Sequence, residues 1–167
     1  RRLERSIAVE KWAQTRTTIN SLRQEERAAL HTAPTIAAWL WQSLQQPPPD
    51  DYSGYGQREA CITLADLRLQ IDLARLEDGG SVDAALGRML RFFDEVVEPI
   101  MLHILSDMPI DRVHRGAVNY VRRAPLRDRA ACVNALEVYI DRPLPDTEDG
   151  DYNWGQADGL RLFQELS

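Results

Sequence analysis

Lysine is almost absent from this sequence. Nineteen of the twenty basic residues are arginine, and Lys11 is the only lysine. Two readings stay open: a GC-rich coding sequence, or selection against lysine in a protein exposed to ubiquitin-conjugating machinery. Cysteine is nearly as scarce. Cys61 and Cys132 allow one disulfide and exclude a disulfide framework, which favours a reducing compartment. Long apolar runs are missing as well. The longest, Pro99 to Leu105, has seven residues with His103 counted, against the roughly 20 needed to cross a bilayer. No membrane partner is therefore expected. The first residues alternate charged and apolar and lack the apolar core of a signal peptide. Because the chain opens on Arg1 instead of Met, it reads as a fragment of a longer protein.

Motifs that carry chemistry are also missing. There is no phosphate-binding glycine loop, no Gly-x-Ser-x-Gly, no Cys-x-x-Cys and no His-Glu-x-x-His. Glu98 and His103 stand five apart, which is not the Glu-x-x-His spacing of di-iron bundles. The acidic run "PDTEDGDYNWG" resembles a calcium loop. However, counting back from Gly150 puts Pro145 at position one, and no glutamate stands at position twelve. Neither a metal nor a cofactor is expected. A net charge of −6 with a pI near 5.1 argues against general nucleic-acid binding.

What remains is helix. Alternating Val/Ile/Thr runs and Asn-Gly turns do not occur, whereas 3.6-residue periodicity runs throughout. At 167 residues and 44% apolar composition the chain has the size and content of one globular domain, 1–167. The periodicity predicts an all-α irregular bundle of about seven helices. The first covers 2–19. A second starts at Ser21, where Ser21 and Gln24 suit a capping box, and a third starts near Pro34. That third helix puts Ile36, Ala37, Leu40, Trp41 and Leu44 on one face and Trp39 outside it. Its continuation "QQPPPDDYSGYG" predicts a loop over 45–57.

The central helix is predicted over 58–77. Ile62, Ala65, Leu69, Leu73 and Leu76 form one apolar stripe, and Ala60, Leu64, Leu67, Ile71 and Ala74 form an opposed one. A helix apolar on two sides is sandwiched between neighbours. The next helix carries Phe92, Phe93, Val96 and Val97 on its apolar side until Pro99 breaks or kinks it. After it, 100–105 is apolar all round and predicts burial on every side. Helices near 110–123 and 125–141 follow, then a loop over 142–155 and a short closing helix docked by Leu160, Phe163 and Leu166.

Against the acidic total, "DRVHRGAVNYVRRAPLRDR" gathers six arginines between Asp111 and Arg129. On a helical wheel Arg112, Arg115, Arg122 and Arg123 share an arc opposite Val113, Ala117, Tyr120 and Val121, the pattern of a solvated helix face. Arg127 and Arg129 do not fit that explanation. They fall in the first turn of the 125–141 helix, where the macrodipole disfavours cations. Three readings follow. The cluster pairs with the acidic segment containing Asp141, Asp146, Glu148, Asp149 and Asp151; or it is merely solvated; or it holds an external anion at a helix N-terminus.

The two remaining histidine and cysteine candidates read as core. His114 lies on the apolar side of its helix, and Cys132 sits with Leu136 and Tyr139. Cys61 is less settled. It lies on a polar strip with Arg68, Asp72 and Arg75, near the predicted start of the central helix, where a thiolate is stabilised.

No catalytic set is complete, so the expected function is a helical protein-interaction domain of a larger intracellular or secreted-effector protein. Its binding residues would be Arg112, Arg115, Arg122, Arg123, Arg127 and Arg129, with Tyr52, Tyr55 and Trp154 from the two loops. The partner would be a protein, an acidic one among the options, in the cytoplasm or in the host cytosol for an effector. Whether the chain is an enzyme stays open. The enzyme alternative is a cysteine-dependent, ubiquitin-ligase-like transferase with Cys61 as nucleophile, and a third alternative is structural self-association.

Overall fold

A computed structural model describes residues 32–46, 51–77, 84–146 and 150–167, without the side chains of 51–53, 74–77, 85 and 151. The helices expected over 2–19 and from Ser21 lie outside these residues. The described residues form an all-helical bundle with no strand. Six helices are present among them rather than about seven. In chain order α1 is Ala33–Leu44 and α2 is Asp51–Glu77. Helix α3 runs as Ala84–Phe92, passes through a π-helical turn at Phe93–Val97 and continues as Glu98–Asp107. Then come α4, Val113–Arg123, α5, Arg129–Ile140, and α6, Gly150–Leu166. No helix among the described residues is long and apolar enough to cross a membrane.

Pro99 kinks α3 without ending it. Proline has no N–H and its ring crowds the carbonyl four residues back. The π turn absorbs both problems, with the Glu98 N–H donating to the Phe93 carbonyl five residues back. The extra residue also rotates the apolar stripe. Phe93 and Val97 are buried, while Val96, expected beside them, is exposed. Beyond the turn, Ile100, Met101, Ile104 and Leu105 are buried but Leu102 and His103 are only half-buried, so 100–105 is not enclosed on every side.

Helix α2 packs along α4 and against α1, and α4 in turn lies against α6 and the second half of α3. The stripe Ala60, Leu64, Leu67 and Ile71 is buried as expected from its spacing. The opposed stripe fades: Ala65 is buried, Ile62 and Leu69 are half-buried and Leu73 is exposed. In α1 the roles of two tryptophans are exchanged. Trp41 is exposed, and Trp39 is half-buried against the core.

Both expected loops are shorter than the sequence suggests, because their glycines are helical. Residues 51–57 open α2. Residues 150–155 open α6. Gly155 and Gly159 sit one turn apart on its buried face, where a Cβ on Gly155 would meet the Tyr139 hydroxyl at 2.8 Å and one on Gly159 the Tyr139 ring at 3.3 Å. With the helix starting there, the buried residue near its end is Leu162, and Leu160 is exposed.

Candidate functional site

Helix α4 lies between α2 and α6, and its outward stripe forms the floor of a groove. Arg115, Asn119 and Arg122 follow one another at helical spacing along that floor, beside Val118. Arg58, Glu59 and Ile62 of α2 make one wall, and Asp158 of α6 makes the other. The enclosed space is about 280 Å³. Aromatic rings stand against two of its arginines. The Arg115 guanidinium lies 5.3 Å from the Trp154 ring centroid, and Trp154 remains 59% exposed. The Arg58 guanidinium lies 5.1 Å from the Tyr55 ring, which also carries Arg112 at 4.6 Å. Such cation–π contacts favour arginine over lysine, because the planar guanidinium stacks. Trp154 and Asp158 are one turn apart on α6, as are Arg58 and Ile62 on α2. Cations and carboxylates therefore line one groove, and an exposed aromatic ring stands beside its Arg115.

The other arginines of the basic stretch have separate surroundings. Arg112 is buried just before α4, between Tyr55 and Tyr152, whose ring centroid is 5.9 Å away. Arg123 pairs with Asp66 of α2 at 2.5 Å. Arg129 donates to the Leu166 carbonyl at 3.3 Å, at the negative end of α6. Arg127 is exposed. The expected pairing with the acidic 141–151 segment is not what Arg123 and Arg129 show. Glu148, Asp149 and the side chain of Asp151 lie outside the described residues, as does the side chain of Tyr52.

The helix N-terminus proposed as an anion site is already filled. Helix α5 starts at Arg129, not at Pro125, so Arg127 lies outside it and Arg129 is its first residue. The buried Glu98 carboxylate accepts the Arg127 N–H at 2.8 Å and the Asp128 N–H at 3.1 Å. Asp128 caps the helix by accepting the Ala131 N–H at 3.0 Å. Two carboxylates of the chain itself therefore take up the amides that an external anion would need.

Cys61 does not support a transferase. It lies three turns inside α2 and is fully buried, and desolvation drives its thiol far above the ordinary range. Its lid is α4, where a Cβ on Gly116 would come within 2.9 Å of the Cys61 Cβ. Cys132 is buried too, its thiol pushed up to about 12 by desolvation. His114 is a core residue, stacked on Tyr139 with ring centroids 5.1 Å apart, and its Nδ1 accepts the Asp111 N–H at 3.1 Å. Burial first, and then the Arg142 charge, lower its pKa to about 4. His103 is half exposed beside Asp107 at 3.1 Å and the Trp41 ring at 5.3 Å. Trp41, His103, Val96 and Pro99 also line a second, apolar depression of about 430 Å³.

No family model matches the chain, and no solved structure matches it. Two curated proteins are similar over part of it. A ribosome maturation factor RimM from Marinomonas sp. (strain MWYL1) is 43% identical over 50 residues, 29% of this chain and 28% of that protein. A ribosome maturation factor RimM from Cellvibrio japonicus (strain Ueda107) is 35% identical over 65 residues, 36% of each. The chain spans about a third of the length of the curated relatives it matches. These likenesses overturn the expectation of an effector-type protein-interaction domain, since both similar proteins are ribosome maturation factors. They also remove the ground for excluding a nucleic-acid partner. That exclusion rested on whole-chain charge, and a summed charge does not describe one groove.

Proposed function

We propose that this chain takes part in ribosome maturation, in the cytoplasm, by binding a ribosomal particle. The observation that carries this reading is that two similar proteins from different organisms bear the same description, ribosome maturation factor. The α2–α4–α6 groove is the surface best suited to the contact. It brings the arginines Arg58, Arg115 and Arg122 together beside an exposed tryptophan, and Arg122 is exposed. Phosphate-rich particles attract such a patch even on an acidic protein, provided the charge is local.

The test uses the full chain, tagged at one end and expressed in its own cell. Lysate is separated on a sucrose gradient at low and at high salt. Comigration with ribosomal subunits or their precursors at low salt, weakened at high salt, is the expected result. Deleting the gene should raise the level of unprocessed ribosomal RNA. A chain that stays at the top of the gradient at low salt, in a deletion strain with normal ribosomal RNA, would end this reading.

A further inference from the structure

The groove has a chemical character beyond positive charge. A site for duplex backbone needs cations and little else, because sequence-independent binding is dominated by phosphate contacts. This groove includes the carboxylates Glu59, paired with Arg58 at 3.6 Å, and Asp158 among its arginines, and the exposed Trp154 ring lies against its Arg115 at 5.3 Å. Carboxylates repel phosphate but accept hydrogen bonds from the exocyclic amino groups of bases. An exposed indole does little for a paired helix, whose bases are stacked already, but offers a platform to an unpaired base. Arg115 and Arg122, on the same floor, are positioned to meet the phosphate that accompanies that base. About 280 Å³ suits one nucleotide and not a helix.

We infer that the α2–α4–α6 groove takes an unpaired, amino-bearing nucleotide of single-stranded RNA. The base stacks on Trp154, its amino group donates to Asp158, and Arg115 and Arg122 hold the phosphate. The inference rests on the ribosomal reading for its choice of RNA. Asn119, between the two arginines, supplies one further donor and acceptor on the floor. Arg115 is the hinge of the site, since it stacks on Trp154 and also lines the groove.

The experiment is fluorescence anisotropy with the full chain and three labelled RNAs: a hexamer of cytidine, a hexamer of uridine and a blunt duplex. The cytidine hexamer should bind more tightly than either other probe. Trp154→Ala should weaken it about tenfold, the scale of one lost stacking contact. Arg122→Ala, at an exposed position, should weaken it and reduce the slope of log affinity against log salt by about one. Both side chains are solvent-exposed, and unchanged far-UV circular dichroism verifies folding. Equal binding of cytidine and uridine, preference for the duplex, or an unaltered Trp154→Ala variant overturns the inference. Comigration with ribosomal particles is read separately. If the chain comigrates but binds no hexamer, the groove assignment falls and the ribosomal reading stands. If the hexamer binds as described without comigration, the groove is an RNA site and the ribosomal reading falls.

Discussion

Removing the Glu98 carboxylate should unfold more of this protein's stability than any surface change. Glu98 is 4% exposed, and its two oxygens each accept one backbone N–H, from Arg127 at 2.8 Å and Asp128 at 3.1 Å. Hydrogen bonds to an ionised group contribute about 1.5–3 kcal/mol each, and a buried donor left without a partner costs about as much again. Glu98→Ala loses both bonds and opens a small void that water partly repairs, so the net loss should be about 4 kcal/mol. For a chain of this length each kcal/mol lowers the melting midpoint by about 2–4 °C, which places the variant roughly 8–16 °C below wild type. Glu98→Gln keeps the shape and one acceptor oxygen, but sets its own amide against the second donor. It should fall about halfway. Urea unfolding followed by circular dichroism measures both, and hydrogen exchange should quicken at the Arg127 and Asp128 amides first. A loss under about 1 kcal/mol for Glu98→Ala would refute the claim that this carboxylate fixes the start of α5.

Three further outcomes follow from the same geometry. Gly116→Ala places a methyl 2.7 Å from the Arg58 carbonyl oxygen and 2.9 Å from its Cα, both backbone atoms. Overpacking of about 3 kcal/mol should outweigh the gain of about 1 kcal/mol in helix propensity, and a stabilised variant in a thermal melt would contradict the close α2–α4 crossing. His114, with a folded pKa of about 4 against an ordinary 6.5, stays neutral where the unfolded chain takes up a proton. Its contribution is full above about pH 6.5 and is lost as pH falls toward 4, about 2 kcal/mol of it between pH 7 and 5. The pH dependence of urea midpoints should therefore flatten in His114→Asn, and an unchanged slope would count against a buried neutral ring. Finally, both buried thiols should resist iodoacetamide in the native state and react fully in urea. Rapid native labelling of Cys61 would reopen its chemistry.

Much of the fold is legible in spacing, and what is not legible shares one cause. The stripe Ala60, Leu64, Leu67 and Ile71 announces a buried helix face because the contacts it needs repeat at helical spacing within the helix. Gly54, Gly56, Gly150 and Gly155 mislead because glycine's local preference is for turns, whereas at Gly155 the deciding partner is the Tyr139 hydroxyl, sixteen residues earlier in another helix. Val96 and Leu160 fall off their expected faces for a related reason, a phase set by a π turn in one case and by an unrecognised helix start in the other. Periodicity gives relative positions on a helix but not where its count begins.

The basic stretch illustrates the same limit at the level of chemistry. Arg127 and Arg129 are visibly anomalous in the sequence, since cations are disfavoured where a helix begins. The resolution is Glu98, 29 residues from Arg127, on a helix that the sequence suggests is broken at the very next residue. The arginines that matter for the groove look ordinary by contrast. Arg115 and Arg122 are two members of a solvated stripe until α6 brings Trp154 and Asp158 alongside them. A local anomaly in charge therefore signals an internal partner at least as readily as an external one. A site, in this protein, arises where unremarkable polar stripes of three helices converge. The net charge of −6 excludes a partner only if charge is uniform over the surface, and a groove with three arginines, Arg58, Arg115 and Arg122, against two carboxylates, Glu59 and Asp158, removes that premise.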